Sequence, residues 1–488
     1  MTEHVDIAII GAGLAGIGVA YHVQEKLPGK SFALFEARDR IGGTWDIFKY
    51  PGLRSDVDMH LYGFSFAPWT RESGVASAEN IMAYLEETLD QFDLRRHIRF
   101  GHHLDHAEWD STTALWTLHF ADGRNVTAKW LQMCAGYYHY DSGYRPEFPG
   151  EADFGGEIIH PQEWDETTSV AGKRVVMIGS GATAVTILPE LVKEAAHVTQ
   201  LQRSPTYVFA GPKEPKLTKL LRTVLPQPAA YHAVRRKDLF FDKVRHDLVH
   251  NKPEKLKRMI REAAEPHLPD DYDFDAHFKP DYAPGKQRMC FAPDGDYYQA
   301  VARENCEVVT DTIDSFTEGG IRLASGRHLD ADVIITATGL RMRMFEPGTL
   351  AVDGRPIAAP DTWLYKGIML SGVPNFALTV GSLVHSYTLR VELIARFVCR
   401  VIAHMDAKGL AVATPTLPKP ASEMESRPFT EDFTSGYVLR AIPEFPRTTS
   451  ESPWRNQQPY AESVAEFTAP LEDGHLRFSA PAKSRNAA

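Results

Sequence analysis

Two glycine-rich turns, each placed between a short apolar run and a helix-compatible run, constrain this chain more than any other feature. The first is GAGLAG, which follows a short β-rich run at residues 5–10. In a βαβ unit that binds a dinucleotide, the first glycine makes the tight turn, the second lets backbone approach the pyrophosphate, and the third lets the helix pack on the strand. Here these glycines are Gly11, Gly13 and Gly16. The pattern predicts a parallel α/β unit whose helix N-terminus faces an anion.

An acidic residue completes the first motif. Glu36 ends the next predicted strand, in SFALFEAR, about 20 residues beyond the last glycine of the turn. A carboxylate at this place accepts hydrogen bonds from a free ribose and repels a 2′-phosphate. The first site is therefore predicted to hold the adenosine of FAD or NAD.

The second turn differs from the first at the position that selects the nucleotide. It lies in KRVVMIGSGATAV, with Gly179 and Gly181 and with Ala184 in the third place. Arg203 and Ser204, in LQRSPTY, stand where the first site has its acid. Because an arginine and a hydroxyl suit a 2′-phosphate, the second site is predicted to bind NADP.

Two apolar runs that end in small residues and a glycine, LQMCAGYY and ADVIITATGL, are interpreted as crossings between domains. The predicted fold class is α/β, with two Rossmann-like dinucleotide-binding domains and a helical insertion. The predicted division is a discontinuous FAD domain, a discontinuous NADP domain and the insertion, namely 1–145 with 346–488, 150–215 with 280–345, and 216–279.

Composition excludes several classes of function. The net charge of −11 argues against a general nucleic-acid binder. The four cysteines are scattered without a CxxC pair, which argues against a dithiol redox centre, and no metal site is predicted. The N-terminus has no basic segment followed by a long apolar one, and no transmembrane segment is predicted. A cytoplasmic location is therefore expected, and peripheral membrane association is left open. The basic helical insertion is interpreted as a solvated cap rather than as a membrane-binding element.

Further motifs resemble those of class B flavoprotein monooxygenases. The segment IGGTWDIFKYPGLRSDVDMHLY is similar to their flavin-proximal segment. FGGEIIHPQEWD fits the Baeyer–Villiger fingerprint FxGxxxHxxxW followed by Pro or Asp, through Phe154, Gly156, His160, Trp164 and Asp165. The resemblance extends along nearly the whole chain and is closest to the ethionamide-activating FAD-containing monooxygenases of this family.

The resemblance implies an enzyme that binds FAD and consumes NADPH. It would insert one atom of O2 into ketones through a C4a-peroxyflavin, giving esters or lactones, and would also oxidise sulfides or thioamides. The expected partners are O2 and a small ketone or sulfide; the oligomeric state is left open. Two alternatives stay open: an S- or N-oxygenase of the same architecture without ketone activity, and a flavoprotein that binds or senses without turnover.

The resemblance also implies roles for particular residues. Arg288, in YAPGKQRMC, would be the catalytic cation. Asp56, the second catalytic residue, would orient it near the flavin and favour its charged form. The remaining FAD contacts would come from the first turn and from three further places, namely Gly11, Gly13, Ala15, Gly16, Glu36, Gly43, Thr44, Trp45, Asp46, Ile47 and the backbone of Leu104. The NADP contacts would be Arg54, Ser55, Gly179, Ser180, Gly181, Ala182, Thr183, Ala184, Val185, Arg203 and Ser204.

One departure from the family pattern concerns the nucleotide phosphate. Many members have a lysine directly before the catalytic arginine, whereas this chain has Gln287 there and Lys286 one place earlier. Selectivity for NADPH is therefore expected to depend mainly on Arg203 and Ser204.

The fingerprint itself is interpreted as the linker between the two nucleotide units. Gly155 and Gly156 would permit the turn, and His160 and Trp164 would anchor the domains rather than act in catalysis. The later aromatic segments DFTSGYVLR and PWRNQQPY are expected to complete a substrate pocket or to pack the returning chain onto the first domain.

Overall fold

Two separate sheets with parallel cores organise the chain, as the two glycine turns predict. The computed structural model describes residues 3–165, 167–344, 348–382, 385–430 and 433–480. The predicted boundary between residues 345 and 346 lies outside the described residues, as do residues 1–2 and 481–488 at the ends of the predicted FAD domain.

The first sheet contains nine strands within the described residues. In spatial order, eight of them are Arg355–Pro356, Thr349–Val352, Leu104–Asp110, Leu115–Phe120, Asn125–Met133, Glu3–Ile10, Phe32–Phe35 and Ile98–Arg99, and the ninth, Phe376–Leu378, also pairs with Asn125–Met133. Glu3–Ile10 is parallel to both of its neighbours, whereas the strands from 104 to 133 form an antiparallel meander. The sheet thus combines strands from both ends of the sequence.

Both faces of this first sheet are covered. Ile7 and Ile9 pack into one hydrophobic core, with helices Leu14–Lys26 and Tyr387–Lys408, while Ala8 and Ile10 pack into another on the opposite face. This explains why the strand reads as a continuous apolar run rather than an alternating one.

The second sheet has five parallel strands within the described residues. Their order is Cys306–Thr310, His197–Gln202, Arg174–Ile178, Val333–Thr336 and Glu157–Ile159. Helix Ala182–Glu194 follows the second glycine turn and shares a core with the shorter helix Asp296–Val301. Two smaller sheets lie in the same part of the sequence. One pairs Val208–Gly211 with Cys290–Pro293, and the other contains Ile313–Thr317, Gly320–Leu323 and His328–Asp330.

Residues 216–279 are helical, as predicted. The helices are Lys216–Val224, Gln227–Asn251, Pro253–Ala264 and Phe274–Phe278. The longest of them contacts the first domain, where Arg235 Nη1 donates to the His60 carbonyl at 2.7 Å.

The remaining elements surround these units. The other helices are Thr44–Ile47, Met59–Tyr62, Ala78–Gln91, Gly436–Ala441 and Tyr460–Thr468, and the other strands are Leu364–Tyr365, Met369–Leu370, Val412–Pro415 and Leu476–Ser479. None of the helices in the described parts of the chain is both long and apolar enough to cross a membrane. The predicted fold class is confirmed; the domain boundaries stay a prediction.

Candidate active site and cofactor cavity

A cavity of about 1090 Å³ lies where the two glycine turns meet. It exceeds the usual range of about 300–1,000 Å³ for a small-molecule pocket, so its size fits ligands as long as dinucleotides. Most of the residues predicted from the sequence line it, namely Gly11, Gly13, Ala15, Glu36, Gly43, Thr44, Trp45, Ile47, Arg54, Ser55, Asp56, Gly179, Ser180, Gly181, Ala182, Thr183, Arg203, Ser204 and Arg288.

Three predicted residues lie behind the turns instead of at the cavity. A side chain on Gly16 would overlap the carbonyl oxygen of Gly11, so this glycine allows the helix to lie against the turn. Ala184 and Val185 are buried in the core of the second unit. They position the second turn through packing and do not face the cavity.

Two predicted FAD contacts are placed differently by the structure. Asp46 is buried and its carboxylate accepts from Arg38 Nη2 at 2.6 Å, so it holds neighbouring cations instead of lining the cavity. Leu104 is fully buried in its strand, and His102 and His103, just before it, line the cavity. The contact of the Leu104 backbone with the adenine stays a prediction.

The first turn fits the pyrophosphate of FAD. Its helix begins after Gly13 with no side-chain cap and no acidic residue in the first turn, so the N-terminal N–H groups point at the cavity unneutralised. A methyl group on Gly13 would lie 3.6 Å from the Cα of Gly43, which shows that two bare backbone segments face each other there. Glu36 is held in place because its Oε2 accepts from the Ala12 N–H at 2.8 Å.

The second turn fits the nucleotide phosphates of NADP. Its helix begins after Gly181, again without a side-chain cap or an early acid, and a methyl group on Gly181 would meet no protein atom. Arg203 and Ser204 are exposed at the cavity wall, and Ser180 Oγ donates to the Ser204 carbonyl at 3.2 Å. A cation and a hydroxyl are thus available to a 2′-phosphate.

Arg54 and Ser55 are already engaged within the protein. Arg54 Nη1 donates to Asp296 Oδ2 at 2.5 Å, and Nη2 donates to Oδ1 at 3.3 Å. Asp296 opens a helix of the second unit, so this ion pair joins the two units beside the cavity. Ser55 Oγ donates to the Val57 carbonyl at 2.8 Å and thereby fixes the loop that carries Asp56.

Arg288 enters the cavity from the loop before the strand Cys290–Pro293. Its backbone N–H donates to Ser435 Oγ at 3.4 Å, and the neighbouring Thr434 N–H donates to the Lys286 carbonyl at 2.6 Å. The segment containing GYVLR therefore positions the loop that bears the arginine. No carboxylate in the described parts of the chain forms a direct ion pair with its guanidinium, so the cation is available to a bound ligand.

The charges of Arg288 and Asp56 influence each other through space. Burial alone would lower the pKa of Arg288, but the phenol oxygens around it and the Asp56 carboxylate more than offset this and raise it. Burial raises the pKa of Asp56, and the cations of Arg288 and Arg54 oppose that rise. Arg288 therefore carries its charge at every working pH.

Tyrosines form much of the wall around these charges, and the sequence interpretation missed most of them. Thr44 Oγ1 lies 2.8 Å from Tyr140 OH, and Trp45 Nε1 donates to Tyr62 OH at 2.8 Å. The others that line the cavity are Tyr50, Tyr137, Tyr138, Tyr144, Tyr387 and Tyr437. The run YYHY, which begins with the last two residues of the first crossing, was the available signal.

His385 is a further lining residue that the sequence interpretation missed. Its Nδ1 is hydrogen-bonded to the carboxylate of Asp242, on the long insertion helix. Its Nε2 is buried without a hydrogen-bond partner among the described residues. The sequence around His385 does not indicate that it lines the cavity, because the hydrogen bond that holds its ring comes from Asp242, 143 residues away.

The fingerprint segment ties the two crossings together. Its residues 157–159 form the edge strand of the second sheet, where a linker was expected. His160 Nε2 donates to the Gly339 carbonyl at 3.2 Å, and its Nδ1 accepts from the Gln162 N–H at 3.1 Å. Gln162 Nε2 donates to the carbonyls of His139 and Tyr140 at 2.9 and 2.7 Å. Burial lowers the pKa of His160, so its neutral ring can donate to Gly339 and accept from Gln162. Its role as an anchor between the domains stays a prediction.

We expect this anchor to show as a coupling between His160 and Gly143. A methyl group on Gly143 would overlap the imidazole ring, so Gly143→Ala should lower the melting temperature of the wild-type chain, at a cost of about 1–3 kcal/mol. In a His160→Ala background the ring is gone, and the same substitution should cost much less. Thermal denaturation of the two single variants and the double variant measures the coupling. Equal costs in both backgrounds would contradict the contact.

Comparison with known proteins agrees with this architecture. Residues 4–262 match the family model described as flavin-binding monooxygenase-like. The chain is 44% identical over 484 residues to the FAD-containing monooxygenase EthA of Mycobacterium tuberculosis, covering 98% of both chains. It is 38% identical to the probable FAD-binding monooxygenase AlmA of Acinetobacter baylyi, covering 98% of this chain and 97% of the relative.

Solved structures share the fold over the same length. An oxidized steroid monooxygenase bound to NADP matches with a TM-score of 0.79 and 24% identity, and a cyclohexanone monooxygenase from Rhodococcus sp. Phi1 bound to NADP+ matches with a TM-score of 0.75 and 22% identity. In each case 98% of this chain and 100% of the other are covered. The family model matches more than half of the chain, and the two nucleotide-binding turns meet at one cavity. The chain therefore belongs to the flavin-binding monooxygenase-like family.

Proposed function

We propose that this enzyme is a Baeyer–Villiger monooxygenase that uses FAD and NADPH to insert one oxygen atom of O2 into ketones, giving esters or lactones. Oxidation of sulfides or thioamides is proposed as a second activity at the same site. The observation that carries the proposal is the position of Arg288, a cation without a direct carboxylate partner in the described residues, in the cavity where the two nucleotide turns meet. FAD and NADP are the cofactors of this family of monooxygenases, and the turns fit both.

The protein contributes binding, orientation and charge. Bound FAD, reduced by NADPH, supplies the activation of O2. The first turn would hold its pyrophosphate on helix N–H groups, and Glu36 would hold the ribose. Arg203 and Ser204 would hold the 2′-phosphate of the nicotinamide nucleotide at the opposite wall. The ion pair of Arg54 with Asp296 keeps the two binding surfaces in register.

Arg288 would stabilise the charge that develops in the reaction. Attack of an oxygen nucleophile on a ketone moves negative charge onto the carbonyl oxygen, and a fixed cation beside that oxygen lowers the barrier without reorganising. Asp56 influences this cation across the cavity without pairing to it directly. The guanidinium of Arg288 is exposed to the cavity and is therefore open to a bound ligand.

Turnover of ketones and sulfides, measured side by side, tests the proposal. With FAD, NADPH and O2 we expect esters from at least one class within a panel of linear, cyclic and aryl ketones, and sulfoxides from simple sulfides. Sulfoxide formation without an ester from any ketone would contradict the Baeyer–Villiger assignment and favour an S-oxygenase. NADPH consumption with neither product would contradict both.

Selectivity for NADPH should depend on Arg203. We expect Arg203→Ala to raise the KM for NADPH about tenfold or more and to leave the KM for NADH nearly unchanged, because a charged hydrogen bond to the 2′-phosphate is worth about 1.5–3 kcal/mol. Steady-state kinetics with both nucleotides measures this. Arg145→Ala, which removes a cation outside the cavity lining, is the control. An equal effect on both nucleotides would show that Arg203 does not contact the phosphate.

A further inference from the structure

One arginine in the wall of the cofactor cavity has no role in the proposed function. Among the described residues, the arginines that line the cavity are Arg38, Arg54, Arg203, Arg288 and Arg440. The first two are neutralised by ion pairs with Asp46 and Asp296. The next two are assigned to the 2′-phosphate and to the reacting oxygen. Arg440 is left, and no carboxylate in the described parts of the chain forms an ion pair with it.

An aromatic ring holds the guanidinium of Arg440 in a fixed place. Its Cζ lies 3.4 Å from the centroid of the Tyr144 ring, and its Nη2 donates to the Leu340 carbonyl at 3.5 Å. Burial lowers the pKa of Arg440 and the Tyr144 phenol opposes this, yet an arginine keeps its charge at any working pH. A guanidinium stacked on a ring presents its donors along its edges, so this cation is preorganised for an anion.

Two glycines leave the edges of this guanidinium open. A methyl group on Gly436 would lie 3.2 Å from Nη1 of Arg440, and one on Gly339 would lie 3.8 Å from Nη2. Both glycines line the cavity. Because neither carries a side chain, the guanidinium is not covered from these two positions.

Arg440 borders the second glycine turn. A methyl group on Gly179 would overlap the carbonyl of Ala337, so the turn packs directly on the second crossing. Gly339, the neighbour of Arg440, comes two residues after Ala337. Tyr144 donates its N–H to the Gly339 carbonyl at 3.0 Å, which fixes the ring under the cation to the same crossing. The charge of Arg440 is therefore placed beside the turn that is assigned to NADP.

The helix Gly436–Ala441, which carries Arg440, is anchored to the other unit. Its buried residues Val438 and Ala441 pack into a core of the first sheet. Arg440 therefore extends from the first unit to the cavity wall of the second.

We propose that Arg440 binds the diphosphate that joins the two halves of the nicotinamide nucleotide. This role rests on the proposed use of NADPH at the second turn and extends it to a further phosphate contact. Arginine suits phosphate because its planar donors can pair with two oxygens at once. The turn itself offers backbone N–H groups, and no lysine lines the cavity among the described residues. Because Arg440 is anchored in the first unit, the bound nucleotide would also tie the two units together.

An acidic group on the substrate is a poorer fit to the same cation. Arg440 contacts Tyr144 and the end of the second crossing, next to the NADP turn. The reacting oxygen is instead assigned to Arg288. The diphosphate of a nucleotide held by the second turn would pass this crossing, whereas a ketone at Arg288 has no need to reach it.

Equilibrium binding of three nucleotides to the oxidised, FAD-loaded enzyme tests the proposal without turnover. NADP+ carries the diphosphate and the 2′-phosphate, NAD+ carries only the diphosphate, and 2′-AMP carries only the 2′-phosphate. We expect Arg440→Ala to weaken NADP+ and NAD+ by a similar factor of about tenfold or more and to leave 2′-AMP unchanged. Arg203→Ala should weaken NADP+ and 2′-AMP and leave NAD+ unchanged. Isothermal titration calorimetry, with displacement of NADP+ for the weaker ligands, measures the dissociation constants.

Control variants separate a phosphate contact from a general effect on the fold. Arg440→Lys keeps the charge but loses the planar fork, so it should recover part of the affinity. Arg447→Ala removes an arginine that lies over the ring of Trp363 outside the cavity lining, and it should bind all three nucleotides as the wild type does. FAD content and the melting temperature without nucleotide should be unchanged in both Arg440 variants.

Three results would overturn the proposal. They are wild-type affinity of Arg440→Ala for NADP+ and NAD+, an equal loss of 2′-AMP affinity in that variant, and an effect of Arg440→Ala confined to the KM of ketones that bear a carboxylate. Failure of ketone and sulfide turnover would remove the proposed reaction and leave the nucleotide result standing, because the binding experiment uses no substrate.

Discussion

Arg288→Ala is expected to lower ester formation by about two to three orders of magnitude, because it removes the fixed cation beside the developing oxyanion. The variant should still retain FAD and should still oxidise NADPH, since Arg288 is not part of either glycine turn. NADPH consumption would then be uncoupled from product, with reduced oxygen released instead of ester. Parallel assays of NADPH, ester and hydrogen peroxide measure this division.

Two further variants make this first expectation specific. Arg288→Lys keeps the charge but loses the planar fork, so it should recover part of the ester formation. Arg341→Ala removes an exposed cation outside the cavity lining and should behave as the wild type. Normal ester formation by Arg288→Ala would refute the role assigned to this arginine.

Gly16→Ala is expected to weaken FAD binding by about a hundredfold. The added methyl group would overlap the backbone carbonyl of Gly11, and backbone cannot rotate away as a flexible side chain can. Relief of the overlap requires the turn to move, at a cost of about 3 kcal/mol or more, which corresponds to a loss of about a hundredfold in FAD affinity. Flavin absorbance after gel filtration and the melting temperature with added FAD measure the effect.

Two alanine controls localise this effect. Gly29→Ala places its methyl group in open space and should leave FAD content and stability unchanged. Gly181→Ala also meets no protein atom, so it should retain FAD and fold normally while weakening NADPH binding at the second turn. FAD retention by Gly16→Ala equal to that of Gly29→Ala would show that close packing at Gly16 is not needed.

The parts of the fold that could be predicted are those set by local backbone requirements. Gly11 and Gly179 have φ angles of +100° and +139°, which favour glycine, and the helices that follow both turns begin where the motifs indicate. The resemblance to the family also predicted that Arg288 and Asp56 lie in one site, and both line the cavity although 232 residues separate them. Hydrophobic periodicity could not have predicted this, because it reports local structure and not which distant residues meet.

What could not be predicted depends on contacts between distant segments. The pairing of Arg54 with Asp296 joins residues 242 apart, so nothing beside Arg54 in the sequence reveals that it bridges the two units. Asp46 was expected at the flavin because of its neighbours, yet the cations that it holds in the folded chain keep it buried. The exposure of Phe240 and Phe241 in the insertion could not be predicted either, because the sequence alone does not show which face of a helix other elements cover.

Isotope labelling tests the central claim most directly. The wild-type enzyme is given FAD, NADPH, ¹⁸O2 and each ketone of a panel of linear, cyclic and aryl ketones in turn. From at least one of them it is expected to yield an ester carrying one ¹⁸O atom, with one NADPH consumed for each oxygen inserted. Mass spectrometry of the product distinguishes the outcomes. An ester with no ¹⁸O, or unchanged ketone accompanied by ¹⁸O-labelled sulfoxide from an added sulfide, would contradict the assignment of this chain as a Baeyer–Villiger monooxygenase.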